Sequence, residues 1–269
     1  MKLLREYIKT LFTEASQDDY EYVRSALDDD HAEGNVWEKI FQSIRNNKLY
    51  GAPSPNIDID KLAMAMNKSL CYDTHRDAFE PIEYKTFEDW FLRDLAPDTL
   101  DMCTKKASLS DMSSPVQGTI RKSIPSGEMT LKKSVIMSED LLGLLGCDEL
   151  IQISLKKIDY HRVHSPVDGT ISGVLEMAKD GFFPGAEAMT VISIETKFGD
   201  VKMMCIGEWS VQTFVPRIDI GDIVNKMSEL GFFYFGSQVI IAFPACIEMI
   251  VDTQGKQRVF PGDPIGLYT

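Results

Sequence analysis

Apolar residues recur at two spacings along this chain, and the change between them falls near residue 113. In the first ninety-odd residues they come three and four apart. Leu3, Leu4, Tyr7, Ile8, Leu11 and Phe12 share one helical face, and Val36, Ile40, Phe41 and Ile44 share another. Asp28-Asp29-Asp30 between them reads as a solvated loop or helix end, and Gly51-Ala52-Pro53-Ser54-Pro55 as a connector. Two more helices are predicted, from Ile59 to about Asn67 and from Phe87 to Leu95, the second stopping before Pro97.

From about Ser113 short β-rich runs alternate with Gly, Pro and Asp turns. Thr119-Ile120, Ile151 to Ile153, Thr190 to Ile194, Val201 to Ile206, Val239 to Phe243 and Met249 to Val251 predict strands of an antiparallel or barrel-like domain. Ser138-Glu139-Asp140-Leu141-Leu142 predicts one inserted helix with Ser138 as its cap. Ser114-Pro115-Val116-Gln117-Gly118-Thr119-Ile120 matches Ser165-Pro166-Val167-Asp168-Gly169-Thr170-Ile171 at six of seven positions. This is turn chemistry feeding a strand, present twice, and it suggests a β domain of two similar halves. Such turns also look like those of biotinyl- and lipoyl-carrier domains, but no lysine stands at an evident hairpin tip.

A length of 269 residues allows one large domain or two modest ones. The net charge of -13 argues against a nucleic-acid partner, which needs clustered Lys and Arg. No run approaches the roughly 20 apolar residues of a membrane-spanning helix. Arg5, Glu6, Lys9 and Thr10 interrupt any signal-like core, so a cytoplasmic location is expected. The five cysteines are scattered and form no Cys-x-x-Cys pair, which fits reduced thiols and gives no zinc or disulfide framework.

Two of the four histidines, His161 and His164, sit three apart beside Asp159 and Asp168. Two uses fit them: a general base near neutral pH, or one histidine packed in a β core and one on the surface. No third ligand completes a metal site. Ser237, after Gly236, fits either an ordinary tight turn or a nucleophile whose neighbouring carbonyl carbon is open to attack.

Several segments, in order, carry a resemblance. They are Phe87 to Leu95, the two Ser-Pro-Val repeats, Asp159-Tyr160-His161-Arg162-Val163-His164, Glu195-Thr196-Lys197-Phe198-Gly199, and Glu229-Leu230-Gly231 running on to Phe235-Gly236-Ser237. Together they resemble the phosphatidylserine decarboxylase family over roughly residues 86–269. The resemblance implies an α+β chain: a helical region at 1–85, then a β-rich, internally duplicated barrel- or sandwich-like catalytic domain at 86–269. It implies that the Ser237 hydroxyl attacks the Gly236 carbonyl with His164 as base. The products would be a β chain of 1–236 and an α chain of 237–269 that begins with a pyruvoyl group made from Ser237. That cofactor would serve decarboxylation of an amine-bearing carboxylate, phosphatidylserine or a free amino acid, with His161 among the substrate-binding residues. No metal is implied. A homodimer is compatible with it. The face of Leu3, Ile8, Leu11 and Phe12 fits either core packing against the β domain, the favoured use, or a peripheral membrane contact.

The chain departs from the family at three places. Gln117 stands where the family carries the Asp that orients the histidine, and an amide can accept a hydrogen bond but bears no charge. Asp168 in the second repeat is the candidate substitute. Gln238 follows the serine where Thr or Ser is usual, and Glu187-Ala188-Met189 replaces an Asn-Glu-Arg run. Three functions therefore stay open: a lipid decarboxylase, a decarboxylase of a soluble amino acid, and a non-processing member that binds a ligand or partner.

Overall fold

The computed structural model describes residues 78–79, 92–123, 127–131, 134–155, 159–177, 189–207, 214–233, 238–252 and 257–269. The chain divides into two compact units, Met1–Ala96 and Pro97–Thr269. The helices expected before residue 70 lie outside the described residues. In the first unit, Phe79 and Leu95 form an antiparallel bridge, and the Arg93 guanidinium lies 4.2 Å over the Phe79 ring. The helix expected over Phe87 to Leu95 is corrected at its described end, because Leu95 is extended and paired. A helix begins instead at Pro97. Proline lacks an N–H that the first turn would leave unsatisfied anyway, and Asp98 complements the positive helix end, so this proline starts a helix.

The second unit is β-rich, with two helices among the described residues, α1 (Pro97–Ala107) and α2 (Ser138–Leu145). Eight antiparallel strands form the principal sheet, in the order β11 (Ile223–Val224), β7 (Gly169–Met177), β8 (Met189–Thr196), β9 (Gly199–Ile206), β13 (Gln238–Phe243), β5 (Glu149–Ser154), β2 (Gly118–Ser123) and β15 (Arg258–Val259). The order is that of an open sheet. A second sheet runs β10 (Phe214–Pro216), β12 (Glu229–Phe233), β6 (Arg162–His164), and a third β1 (Met112–Ser113), β16 (Pro264–Tyr268), β14 (Ile247–Met249). A hairpin, β3 (Glu128–Leu131) with β4 (Ser134–Met137), completes the unit.

Both faces of the principal sheet are covered. Val239, Ile241 and Phe243 enter one core with Val163, Leu230, Phe233 and Ile265, while Ile240 and Ala242 enter another with Leu141, Leu145 and Met129. That explains why β13 reads as an unbroken apolar run rather than an alternating one: alternate residues face opposite cores. Met137, not Ser138, is the N-cap of α2, and no side chain caps it. The Glu139 carboxylate accepts from the Gly127 N–H instead, so the helix end is tied to the hairpin.

The sheet repeats itself about its centre. Thr119 pairs with Ser154, Ile120 with Ile153, then a bulge falls before Lys122; Thr170 pairs with Glu195, Ile171 with Ile194, then a bulge falls before Gly173. Val259 pairs with Gly118 as Val224 pairs with Gly169. The glycine of each repeat is required by close approach. A Cβ on Gly118 would lie 2.9 Å from the Ser154 carbonyl oxygen, and one on Gly169 would lie 2.4 Å from that of Glu195.

Candidate active site

His164 ends β6, the edge strand of the three-stranded sheet, and pairs with Glu229 of β12. Its backbone N–H donates to the Pro115 carbonyl at 2.9 Å, stitching the first Ser-Pro-Val turn to the motif. His164 is 4% exposed, and both its ring nitrogens are engaged. Nδ1 lies 2.8 Å from the Met227 carbonyl oxygen, and Nε2 lies 3.0 Å from the Tyr160 hydroxyl. A carbonyl can only accept, so Nδ1 carries the proton and Nε2 keeps its lone pair, with the Tyr160 hydroxyl as donor. The two rings lie nearly parallel, with centroids 5.6 Å apart. Burial pushes the His164 pKa down to about 4; the Met227 bond opposes this and the Arg162 charge adds to it. His164 is therefore neutral at pH 7, as a base must be before it accepts a proton.

Gln117 is buried beside the motif, and its Oε1 accepts from the Tyr160 N–H at 2.8 Å. Its bond goes to the backbone next to the ring rather than to His164. Asp168 is exposed, and its carboxylate accepts from the Lys226 N–H at 2.7 Å. Neither residue hydrogen-bonds His164; the main-chain carbonyl of Met227 occupies Nδ1. His161 is 1% exposed, and its carbonyl accepts from the Phe233 N–H at 2.9 Å. Gly236 and Ser237 lie outside the described residues, in the segment joining β12 to β13. On one side of that segment Phe233 is bound to His161; on the other, Gln238 pairs with Ser154 and Ile206.

Three contributors carry no role in the sequence reading. Tyr160 lies inside the quoted motif, but only the fold brings its hydroxyl to Nε2. Met227 acts through its backbone, so its side chain gives no signal. Asp159 is fully buried and paired in a fork with Arg258, at 2.9 and 2.5 Å, a contact across 99 residues of sequence. Among the described residues no cluster of three or more His, Cys, Asp or Glu could hold a metal, and no helix is long and apolar enough to cross a membrane.

The phosphatidylserine decarboxylase family model matches residues 87–267. The chain belongs to the phosphatidylserine decarboxylase family. It is similar to phosphatidylserine decarboxylase proenzyme 2 of Oryza sativa subsp. japonica, 26% identical over 74% of this chain and 35% of that protein. It is also similar to the phosphatidylserine decarboxylase proenzymes of Legionella pneumophila, 25% identical over 76% of this chain and 81% of the relative, and of Chlamydia caviae, 30% identical over 66% of each. The chain thus spans about a third of the rice protein's length and most of the Legionella one. Membership makes carboxy-lyase chemistry the family-level activity.

Proposed function

We propose that this chain is a self-processing, pyruvoyl-dependent decarboxylase. One observation carries the reading: a buried, neutral His164 with its Nδ1 proton fixed stands on the strand paired with β12, and β12 runs into Gly236-Ser237. In this reading the Ser237 oxygen attacks the Gly236 carbonyl carbon. The C–O bond of an ester forms and the peptide C–N bond breaks. The hydroxyl proton passes to His164 Nε2 and then to the amine that is released. Tyr160 already donates to Nε2, so the proton travels through its hydroxyl or displaces it.

β-Elimination breaks the ester C–O bond and releases the Gly236 carboxylate, leaving dehydroalanine at residue 237. One water then adds to its α-carbon and displaces the nitrogen as ammonia, which leaves the pyruvoyl ketone. That group supplies an electrophilic ketone, which accepts the electron pair left by departing CO2. His164 then holds the proton that replaces CO2 on the product, and the surrounding apolar core excludes water from it. The substrate is an amine-bearing carboxylate. The names of the relatives favour phosphatidylserine, and a lipid substrate implies work at a membrane surface.

A second reading, a member that neither cleaves nor decarboxylates, has Gln117 in its favour, because no carboxylate is bonded to His164 to stabilise its charged form. The test is CO2 release from phosphatidylserine vesicles and from each free amino acid, with Ser237→Ala as control. Release from the vesicles, abolished by Ser237→Ala, is expected. Release from one free amino acid alone moves the assignment to a soluble substrate. Silence across the panel favours the binding reading.

A further inference from the structure

Met227 has φ of 72°, the one positive value at a non-glycine position among the described residues. The left-handed region is disfavoured for any residue with a Cβ, and such outliers persist only where surrounding bonds hold them. Here every N–H from Asn225 to Ser228 is engaged. Asn225 donates to Ser228 Oγ at 3.1 Å and Lys226 to Asp168 Oδ1 at 2.7 Å. Met227 donates to the Ser165 carbonyl at 3.0 Å, and Ser228 to that of Asn225 at 2.9 Å. The turn so fixed aims the Met227 carbonyl at His164 Nδ1.

The internal repeat provides a control within the same molecule. In the twin turn Phe260 donates to Asp263 Oδ2, Gly262 to the Ser114 carbonyl, and Asp263 to that of Phe260. Gly262, at φ 83°, stands where Met227 stands, and a Cβ there would lie 2.3 Å from the Cys103 carbonyl oxygen. One bond has no counterpart. The residue matching Lys226 is Pro261, which has no N–H and needs no acceptor. The residue matching Asp168 is Gln117, which is correspondingly turned to Tyr160.

We infer that Asp168 is a positioning residue for His164: by holding the Lys226 N–H it fixes the left-handed turn whose Met227 carbonyl keeps the proton on Nδ1 and leaves Nε2 as the basic nitrogen. The backbone thereby supplies the orientation that Gln117 does not. This rests on the reading of His164 as the base.

The test is the imidazole nitrogen spectrum of the full chain labelled with 15N-histidine, assigned with His164→Asn. In the parent, His164 should be wholly in the Nδ1–H form. Asp168→Ala should give a mixture of tautomers, with at least a tenth as Nε2–H. Adding Lys226→Pro to Asp168→Ala copies the twin turn and should restore the Nδ1–H form without the carboxylate. A parent in the Nε2–H form, or an Asp168→Ala variant indistinguishable from the parent, overturns the inference. If Asp168→Ala alone does not fold, the double variant decides: a folded protein with mixed tautomers overturns it, and the Nδ1–H form upholds it. Mass spectra of the same samples report separately on self-cleavage, so failure of the catalytic reading cannot be confused with failure of this one.

Discussion

Acid should weaken the fold through His164 by a calculable amount. Burial holds its folded pKa at about 4, against 6.5 for the free side chain. Between these values the unfolded chain binds a proton that the folded chain refuses, so stability is full above about pH 6.5 and falls as pH drops towards 4. The gap of about 2.5 units corresponds to about 3 kcal/mol across the whole window, of which about 2 kcal/mol is lost between pH 7 and pH 5. The assay is urea unfolding at pH 7 and pH 5 in a Ser237→Ala background, which keeps the chain continuous, with and without His164→Asn. The Asn amide nitrogen can sit where Nδ1 sits and still donate to the Met227 carbonyl, and Asn does not titrate. Carboxylates common to both proteins cancel in the difference. The histidine protein should lose about 2 kcal/mol more than the Asn variant on acidification. Equal losses, within about 0.5 kcal/mol, would refute the burial argument for a neutral base.

Gln117 bonds the Tyr160 N–H and not His164, so Gln117→Asp should speed self-cleavage only through the field of a nearby carboxylate. The gain should be about tenfold or less, well short of the order of 10^4 that a directly bonded aspartate is worth in a serine protease triad. Timed mass spectra of freshly synthesised chain measure it, and an unchanged rate would mean that residue 117 does not act on the histidine. Arg258→Ala leaves the fully buried Asp159 without its forked partner and should cost about 3 kcal/mol, near the low end for a broken buried pair because the arginine is 42% exposed. Thermal unfolding checks this, and a melting temperature within a degree of the parent's would contradict it. Cleavage would place Arg258 and Asp159 on different chains, so the same variant should also loosen the smaller fragment.

Much of the β unit was legible because its strands are bounded by turn residues and its repeat is short and nearly exact. Both Ser-Pro-Val turns open strands with identical pairing and identical bulges. Helix starts were less legible. Pro97 looks like a stop when read from its N-terminal side and a start when read from the other, and nothing local decides between them. Ser138 has the right chemistry for a cap one residue too late, because Glu139 reaches the hairpin instead. The sequence singled out His164 as a candidate, and the structure describes it as buried with both ring nitrogens bonded; the backbone carbonyl that holds one of them left no trace in the sequence. The residue identity of Met227 does not reveal a carbonyl directed at Nδ1, and Asp168, expected as the substitute for the missing aspartate, bonds the Lys226 N–H rather than His164.

The most direct measurement is the intact mass of the purified full chain under denaturing conditions. Self-processing predicts two species, residues 1–236 and a 237–269 fragment blocked by a pyruvoyl group. A single species at 30.3 kDa would contradict the self-processing account and leave His164 as a buried histidine of a binding protein.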